Sequence, residues 1–221
     1  MDKAYRHINI DKEHNQLIME IYIIRHGKTD WNNDRLLQGG TDIELNQDGI
    51  DLAAKTGEGL KDVDFDVVYS SPLKRAYKTA ELIVGDRNIP IITDDRLREI
   101  SFGSREGEPS MALKDDPTDP FYFFFHAPEK YDPLDGESFQ SVMERTNSFL
   151  KEVVEPKENE CKRIMIVGHG AMNKGLQCHM LGHGVKDYWK GDLQHNCAFN
   201  IYELKDGKYT LLENNKTFFE K

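Results

Sequence analysis

Residues 19–27 read M-E-I-Y-I-I-R-H-G, and residues 164–170 read I-M-I-V-G-H-G. Both stretches begin with a short apolar run rich in β-branched residues, which is typical of a strand buried in the centre of a sheet. Each run leads within two residues to a histidine followed by glycine, His26-Gly27 and His169-Gly170. We expect both histidines at the carboxyl ends of parallel strands, the edge of an open sheet at which ligands bind.

Strand and helix patterns alternate through the rest of the chain. Asn46 is suited to a helix N-cap, and Pro72 stands at the start of a second helical pattern. This alternation predicts an α/β fold, a three-layer α/β/α sandwich with a mostly parallel, doubly wound sheet. We expect strands at 19–24, 67–69, 89–92 and 164–167, helices at 46–60, 73–84 and 138–154, and a terminal hairpin at 197–212.

The 221 residues suit one α/β domain with a modest insertion. We expect residues 1–18 to be an N-terminal extension and residues 19–221 to form a single domain. Residues 104–136 break the alternation with prolines, acidic clusters and the run F-Y-F-F-F at 121–125, which predicts a small inserted cap. The aromatic run either lines a pocket for an apolar group or forms the cap's own core.

The charge and cysteine content exclude several classes of protein. A net charge of −10, from 29 basic and 39 acidic residues, repels polyanions, so we expect no binding to nucleic acid or to an anionic membrane. No stretch approaches 18 consecutive apolar residues, so no membrane span is expected either. Three scattered cysteines without a C-x-x-C pair indicate a reducing compartment, and the cytoplasm is the expected location.

Five motifs follow one another along the chain: R-H-G at 25–27, S-S-P-L-K-R-A-Y-K-T-A at 70–80, L-R-E-I-S-F-G at 97–103, D-G-E-S at 135–138 and V-G-H-G at 167–170. Together they resemble the phosphatase branch of the histidine phosphatase superfamily, the phosphoglycerate mutase-like proteins, from residue 21 to about residue 197. The resemblance implies a metal-independent phosphomonoester hydrolase that works through a phosphohistidine on a small phosphorylated metabolite, without a cofactor.

The same residues suit the chemistry. Phosphoryl transfer needs a nucleophile, cations around the phosphate oxygens and a proton donor for the leaving oxygen. His26 is the candidate nucleophile, Glu99 is the candidate general acid, and His169 completes the catalytic set. Nearby positive charge should lower the pKa of His26 and keep it neutral for attack. The resemblance places the phosphate-binding groups at Arg25, Asn32, Arg75 and Gly170, and it places the loop of His195, Asn196 and Cys197 at the pocket floor.

Two other functions stay open, a cofactor-dependent phosphoglycerate mutase and a non-catalytic protein that binds a phosphorylated ligand. A mutase must hold a second anionic group, and that branch uses a longer insertion with paired arginines. The cap here has only Arg105, Lys114 and Lys130 as bases, which favours hydrolysis. Neither the natural ester nor the oligomeric state follows from the sequence.

A metal site is not expected. His179 and His183 are four residues apart, as metal ligands on one helix face can be, but the glutamate of a zinc hydrolase helix does not stand between them. Gly182 and Gly184 instead indicate a helix end there. A structural role for Cys178 and the two histidines is therefore favoured.

Overall fold

A six-stranded sheet with a parallel centre forms the middle layer of the protein. The computed structural model describes residues 18–219. The strands are β1 (Met19–Arg25), β2 (Val67–Ser70), β3 (Ile91–Thr93), β4 (Arg163–Gly168), β5 (Phe199–Lys205) and β6 (Lys208–Lys216). The strand order is β3-β2-β4-β1-β5-β6. The first four strands are parallel to one another, β5 runs antiparallel to β1, and β6 runs antiparallel to β5. Arg25 pairs with Gly168, so β1 and β4 end side by side.

The helices begin and end at local signals. Asn46 accepts a hydrogen bond from the Gly49 N–H as an N-cap, and Ser138 caps its helix in the same way. Gly182 adopts φ +68° at the end of the helix after His169, a conformation that favours glycine. The helices are α1 (Asp30–Asn33), α2 (Gln47–Gly59), α3 (Lys74–Val84), α4 (Ser110–Lys114), α5 (Tyr122–His126), α6 (Phe139–Phe149), which continues as a π-helical turn (Leu150–Val154), and α7 (Gly170–Leu181).

Helices cover both faces of the sheet. Met19, Ile21 and Ile23 of β1 belong to one buried apolar cluster with α6 and α7. Tyr22 and Ile24 alternate with them and belong to a second cluster with α3, against which α2 packs. This period of two is the one expected of a strand buried on both sides. The arrangement confirms the predicted α/β/α sandwich with a mostly parallel sheet.

A third apolar cluster joins residues of the predicted insertion to α6 and α7. The rings of Phe121 and Phe124 stack with their centroids 4.8 Å apart. Arg105 forms a salt bridge of 2.6 Å with Asp119, and both side chains are mostly buried. The aromatic run therefore largely forms the core of this region. The charge of Arg105 is neutralised by the Asp119 carboxylate.

The division of the chain into an extension at 1–18, a domain at 19–221 and an insertion at 104–136 remains a prediction. Residues 1–17 and 220–221 lie outside the described part of the chain. Of the helices in the part described, none is long and apolar enough to cross a membrane.

Three element boundaries differ from prediction for local reasons. Strand β3 begins at Ile91 rather than residue 89, since Pro90 has no N–H to donate to a strand ladder. Helix α6 changes to π geometry at Leu150, a change that apolar spacing does not reveal. Strand β6 runs to Lys216, although its E-N-N-K end shows no alternation of apolar and polar residues. The Asn215 N–H donates to Asn200 Oδ1 at 2.6 Å, and this hydrogen bond holds the end of β6 beside β5.

Candidate active site

The two histidines of the His-Gly pairs lie next to each other at the carboxyl edge of the sheet. His26 directly follows β1 and His169 directly follows β4, and the His26 N–H donates to the Gly168 carbonyl at 2.9 Å. Their ring centroids are 5.1 Å apart, with the ring planes at 59°. Both side chains are buried, at 3% and 0% exposure. The register of two neighbouring strands therefore brings together residues that are far apart in the sequence.

The hydrogen bonding of His26 determines its tautomer. Its Nδ1 lies 2.7 Å from the Gly27 carbonyl oxygen, which can only accept, so Nδ1 carries the proton and Nε2 carries the lone pair. Burial, followed by the charges of Arg75 and Arg25, lowers the pKa of His26 well below its usual value of 6.5. The ring is therefore neutral at neutral pH, with an unprotonated Nε2.

Several buried nitrogen atoms around His26 have no partner within residues 18–219. They are Nδ1 and Nε2 of His169, Nε of Arg25 and Nε of Arg75. Buried polar groups are nearly always hydrogen-bonded, so four such atoms in one region need an explanation. Oxygen atoms of a bound anion would accept from the Nε–H groups of Arg25 and Arg75 and from the one ring nitrogen of neutral His169 that carries a proton. Burial, Arg75 and His26, in that order, also lower the pKa of His169, so it too is neutral.

Backbone carbonyls orient the two arginines. Arg75 donates from Nη1 to the Thr41 carbonyl at 2.9 Å and from Nη2 to the Gly39 carbonyl at 2.7 Å. Its side chain is fully buried although it lies in the first turn of α3. Burial lowers the pKa of Arg75 to about 10, so it stays a cation at neutral pH. Arg25 donates from Nη1 to the Gln194 carbonyl at 2.8 Å. Both guanidiniums are thus fixed cations beside His26.

Glu99 lies at the N-terminus of α7. Its Oε1 accepts from the Met172 N–H at 2.8 Å and the Ile100 N–H at 3.0 Å, and its Oε2 accepts from the Ala171 N–H at 3.1 Å. These three backbone N–H groups hold the Glu99 carboxyl group in one position. A Cβ on Gly170 would lie 3.5 Å from Glu99 Oε2 and 3.8 Å from Arg25 Nη2. The carboxylate and the guanidinium therefore meet at Gly170, where only a hydrogen atom stands.

Asn32 and Asn196 complete the polar side of the site. Asn32 Oδ1 accepts from the Thr29 N–H at 3.1 Å in the capping box of α1, which leaves Nδ2 as the atom able to donate towards a ligand. Asn196 Nδ2 donates to the His26 carbonyl at 2.9 Å and lies 3.3 Å from the Gly27 carbonyl. The loop before β5 thus holds the backbone that orients the His26 ring.

A cavity of about 140 Å³ opens beside these groups. Arg25, His26, Asn32 and Glu99 line it together with aromatic residues that include Phe121, Phe125 and Trp189. The aromatic run at 121–125 therefore both forms a core and lines the pocket, the two alternatives that the sequence left open. The site combines an unprotonated imidazole nitrogen, fixed cations, a carboxylate and an apolar wall.

Comparison with known proteins decides the family. The family model described as histidine phosphatase superfamily, branch 1, matches residues 21–217. The chain belongs to the histidine phosphatase superfamily. An uncharacterized phosphatase, PhoE, of Bacillus subtilis (strain 168) is 33% identical over 195 residues, which are 88% of this chain and 93% of that one.

Solved structures of two other proteins have a similar fold. YhfR of Bacillus stearothermophilus is 31% identical with a TM-score of 0.83, over 90% of this chain and 98% of that one. A mutant phosphoserine phosphatase from Entamoeba histolytica, in complex with phosphoserine, is 31% identical with a TM-score of 0.76, over 89% of this chain and 96% of that one.

Three polar residues of this superfamily member, two buried and one half-buried, were not predicted to support the site. Gln194 is 2% exposed, and its Nε2 donates to the carbonyls of Ile23 and Ala198, which fixes the carbonyl that receives Arg25. Asn173 Nδ2 donates to Gln194 Oε1 at 3.0 Å. Glu106 Oε1 accepts from the Gly40 N–H at 2.7 Å and holds the loop that receives Arg75. A single amide or carboxylate side chain gives no local sequence signal of such a role.

The segment around Cys178 forms a separate environment. His179 Nε2 lies 3.1 Å from Glu155 Oε1, Cys178 is buried, and Gly182 ends α7 as predicted. Throughout residues 18–219, His, Cys, Asp and Glu side chains nowhere form a group of three that could hold a metal ion. The contacts of His179 and Cys178 are those of structural residues.

Proposed function

We propose that this protein is a phosphomonoesterase that acts through a phosphohistidine at His26. The observation that carries the proposal is the unprotonated His26 Nε2 beside buried nitrogen atoms of Arg25, Arg75 and His169 that lack partners in the described structure. Those nitrogen atoms suit the oxygens of a phosphate group, and Nε2 suits attack on its phosphorus. The arginines supply the positive charge, so the proposed reaction needs no metal.

In the first step, His26 Nε2 attacks phosphorus and forms an N–P bond as the ester P–O bond breaks. The reactive form has Glu99 protonated on Oε2, the oxygen that accepts only one backbone hydrogen bond, and this proton passes to the leaving oxygen, so the alcohol departs neutral. Arg25, Arg75 and His169 bind the non-bridging oxygens, and Asn32 Nδ2 adds a donor. The products of this step are the alcohol, a phosphohistidine and the Glu99 carboxylate.

In the second step, the Glu99 carboxylate takes a proton from a water molecule whose oxygen attacks phosphorus. The N–P bond breaks, inorganic phosphate forms, and the electron pair returns to His26 Nε2. Glu99 ends the cycle protonated and ready for the next ester. Dividing the displacement into two steps lets one imidazole serve as both nucleophile and leaving group.

The ion pairing of Arg105 in the predicted cap favours hydrolysis over mutase activity. Arg105 Nη1 donates to Asp119 at 2.6 Å, and its Nε and Nη2 donate to Glu108 at 3.1 and 3.0 Å. It is thus not free to hold the second anionic group of a phosphoglycerate. The relatives named as phosphatases, including the one solved with phosphoserine, support the same choice. A small phosphorylated metabolite suits the size of the cavity.

We further propose that the protein acts in the cytoplasm and does not bind nucleic acid. Cys161, Cys178 and Cys197 are free thiols, which supports a reducing compartment. The net charge of −10 opposes association with a polyanion.

The test measures phosphate release from p-nitrophenyl phosphate in the presence of EDTA. We expect wild type to retain full activity with the chelator and His26→Ala to lose at least a thousandfold in kcat/KM, because the substitution removes the attacking nitrogen. His183→Ala, a half-buried histidine outside the cavity, is the matched control and should stay within twofold. A rapid quench should trap an acid-labile phosphoprotein in wild type alone.

Each other result has a definite reading. Full activity in His26→Ala, or loss of wild-type activity with EDTA, contradicts the proposal. Interconversion of 3- and 2-phosphoglycerate stimulated by 2,3-bisphosphoglycerate, at a rate above hydrolysis, indicates a mutase. Tight binding of phosphate esters with no turnover indicates a non-catalytic binding protein.

A further inference from the structure

The cavity has two chemically different halves. One half carries Arg25, His26, Asn32 and Glu99. The other half is apolar, and its side chains come from four separate parts of the chain. They include Leu36, Phe102, Phe121, Phe125, Trp189 and Leu193. Because the phosphate occupies the charged half in the proposed function, the alcohol part of the ester faces this apolar half.

The apolar half offers no cation for a second anionic group. Among the residues that line the cavity, Arg25 is the only lysine or arginine, and it belongs to the phosphate side. Arg105 is held by Asp119 and Glu108. Lys114 is not a lining residue, although its Nζ lies 5.1 Å from the centre of the Phe125 ring. A carboxylate on the alcohol would therefore lose its hydration against an apolar wall that offers it no charged partner, which is unfavourable.

The aromatic wall is held in place by its own contacts. The Trp189 indole N–H donates to the Phe124 carbonyl, so the indole has no donor left for a ligand. The Phe125 and Trp189 rings lie 5.4 Å apart, and Phe121 packs on Phe125 at 5.8 Å. Phe125, Trp189 and Leu36 are half-buried, and Leu193 is 46% exposed, so part of this apolar surface faces solvent. A preformed apolar surface of this kind binds flat apolar groups.

The volume also suits a ring. The cavity measures about 140 Å³ in its two halves together, so the apolar half has room for a small group next to the phosphate rather than for an extended one. The mouth beside Leu193 leaves room for a larger group to extend into solvent. One six-membered ring next to the phosphate would thus cover most of the apolar wall.

We propose that the protein selects phosphate esters whose alcohol carries an uncharged aromatic or alicyclic ring next to the phosphate, and that Phe125 and Trp189 are the specificity-determining residues. This inference rests on the proposed function, since it takes the phosphate to lie against His26. It separates this chain from an enzyme for phosphoserine or phosphoglycerate, whose alcohol parts carry a carboxylate.

The test compares benzyl phosphate with 3-phosphoglycerate. Both esters release a primary alkoxide, so a difference in kcat/KM reports contacts with the pocket rather than the reactivity of the leaving group. We expect kcat/KM for benzyl phosphate to exceed that for 3-phosphoglycerate at least tenfold. Phe125→Ala should lower kcat/KM for benzyl phosphate at least fivefold, mainly through KM, and should leave 3-phosphoglycerate within twofold. Phe123→Ala is the matched control, because Phe123 lies on the same short helix but does not line the cavity.

A gain of function provides a second, independent arm. Leu193→Lys adds a cation at a lining position that is already partly exposed, so the substitution does not bury a charge. We expect it to raise kcat/KM for 3-phosphoglycerate at least fivefold.

A wild type that prefers 3-phosphoglycerate, or a Phe125→Ala variant that loses both esters equally, overturns the inference and leaves the proposed function standing. If wild type hydrolyses neither ester, calorimetry of the His26→Ala variant still tests the pocket. Binding of benzyl phosphate at least tenfold tighter than 3-phosphoglycerate then supports the inference although the proposed chemistry has failed, and equal affinities overturn it.

Discussion

Gly170→Ala is the smallest change that tests whether the substrate lies between Arg25 and Glu99. Gly170 is the first residue of α7 and does not have a positive φ, so alanine fits its backbone. The new Cβ would lie 3.5 Å from Glu99 Oε2 and 3.8 Å from Arg25 Nη2, which is ordinary van der Waals contact. The variant should fold without strain while the methyl group fills the gap between the two groups.

The expected effects on stability and on activity have opposite signs. Replacing glycine by alanine where the backbone allows it stabilises a protein by about 0.4–1 kcal/mol, which is a rise of about 1–4 °C in Tm for a chain of this length. A phosphate oxygen bound to Arg25 on this side would have to move by about 1 Å. A displacement of that size costs roughly a hundredfold in rate, or about 2.7 kcal/mol of activation free energy.

The control lies at the other end of the same helix. Gly182 has φ +68°, and a Cβ there would meet nothing within 4 Å. Gly182→Ala should lower stability by about 1–2 kcal/mol through backbone strain alone, and its kcat/KM should stay within twofold of wild type. Thermal unfolding and steady-state kinetics give a Tm and a kcat/KM for each of the two variants. Wild-type kcat/KM in Gly170→Ala, or a fall in its Tm that accompanies the loss of activity, would refute the reasoning.

Three further outcomes follow from the contacts. Burial holds the pKa values of His26 and His169 in the folded protein well below 6.5, so the unfolded chain binds more protons below that pH. The free energy of unfolding should therefore fall by up to about 1.4 kcal/mol per histidine per pH unit as the pH drops from 6.5. Urea unfolding at pH 7.5 and 5.5 measures this fall. Asn196→Ala removes a donor that holds the His26 backbone, so kcat should fall about tenfold or more with little change in KM. Asp119→Ala leaves Glu108 as the one carboxylate that pairs with Arg105, so the free energy of unfolding should fall by about 1 kcal/mol in urea titration.

Each of these has its own control. The double variant His26→Gln/His169→Gln should lose most of the dependence of unfolding free energy on pH between 6.5 and 5.5, and an unchanged dependence contradicts the assignment to these histidines. Asn214→Ala, on the exposed side of β6, should leave kcat unaltered; a KM effect equal to the kcat effect in Asn196→Ala would indicate lost binding rather than lost positioning. Asp115→Ala, an exposed acid near Asp119, should not change stability.

Much of the fold can be predicted from local pattern. The apolar runs at 19–24 and 164–167 identify central strands because burial on both faces requires an uninterrupted apolar stretch. Caps such as Asn46 and the glycine at 182 give helix ends because their backbone roles are local. The ordered motifs indicate the family, and the match over residues 21–217 confirms it.

The sequence alone therefore determined the α/β class, the placement of His26 and His169 at strand ends, and the candidate set around them. Only the tertiary structure decided that Arg75 is fully buried on the carbonyls of residues 39 and 41, that Glu99 caps α7, and that one half of the cavity has no free cation. The physical reason is range. Periodicity and capping depend on neighbours within a few residues, whereas charge pairing, burial of a helix-start arginine and the shape of a cavity depend on segments tens of residues apart that meet only when the sheet and the cap have packed.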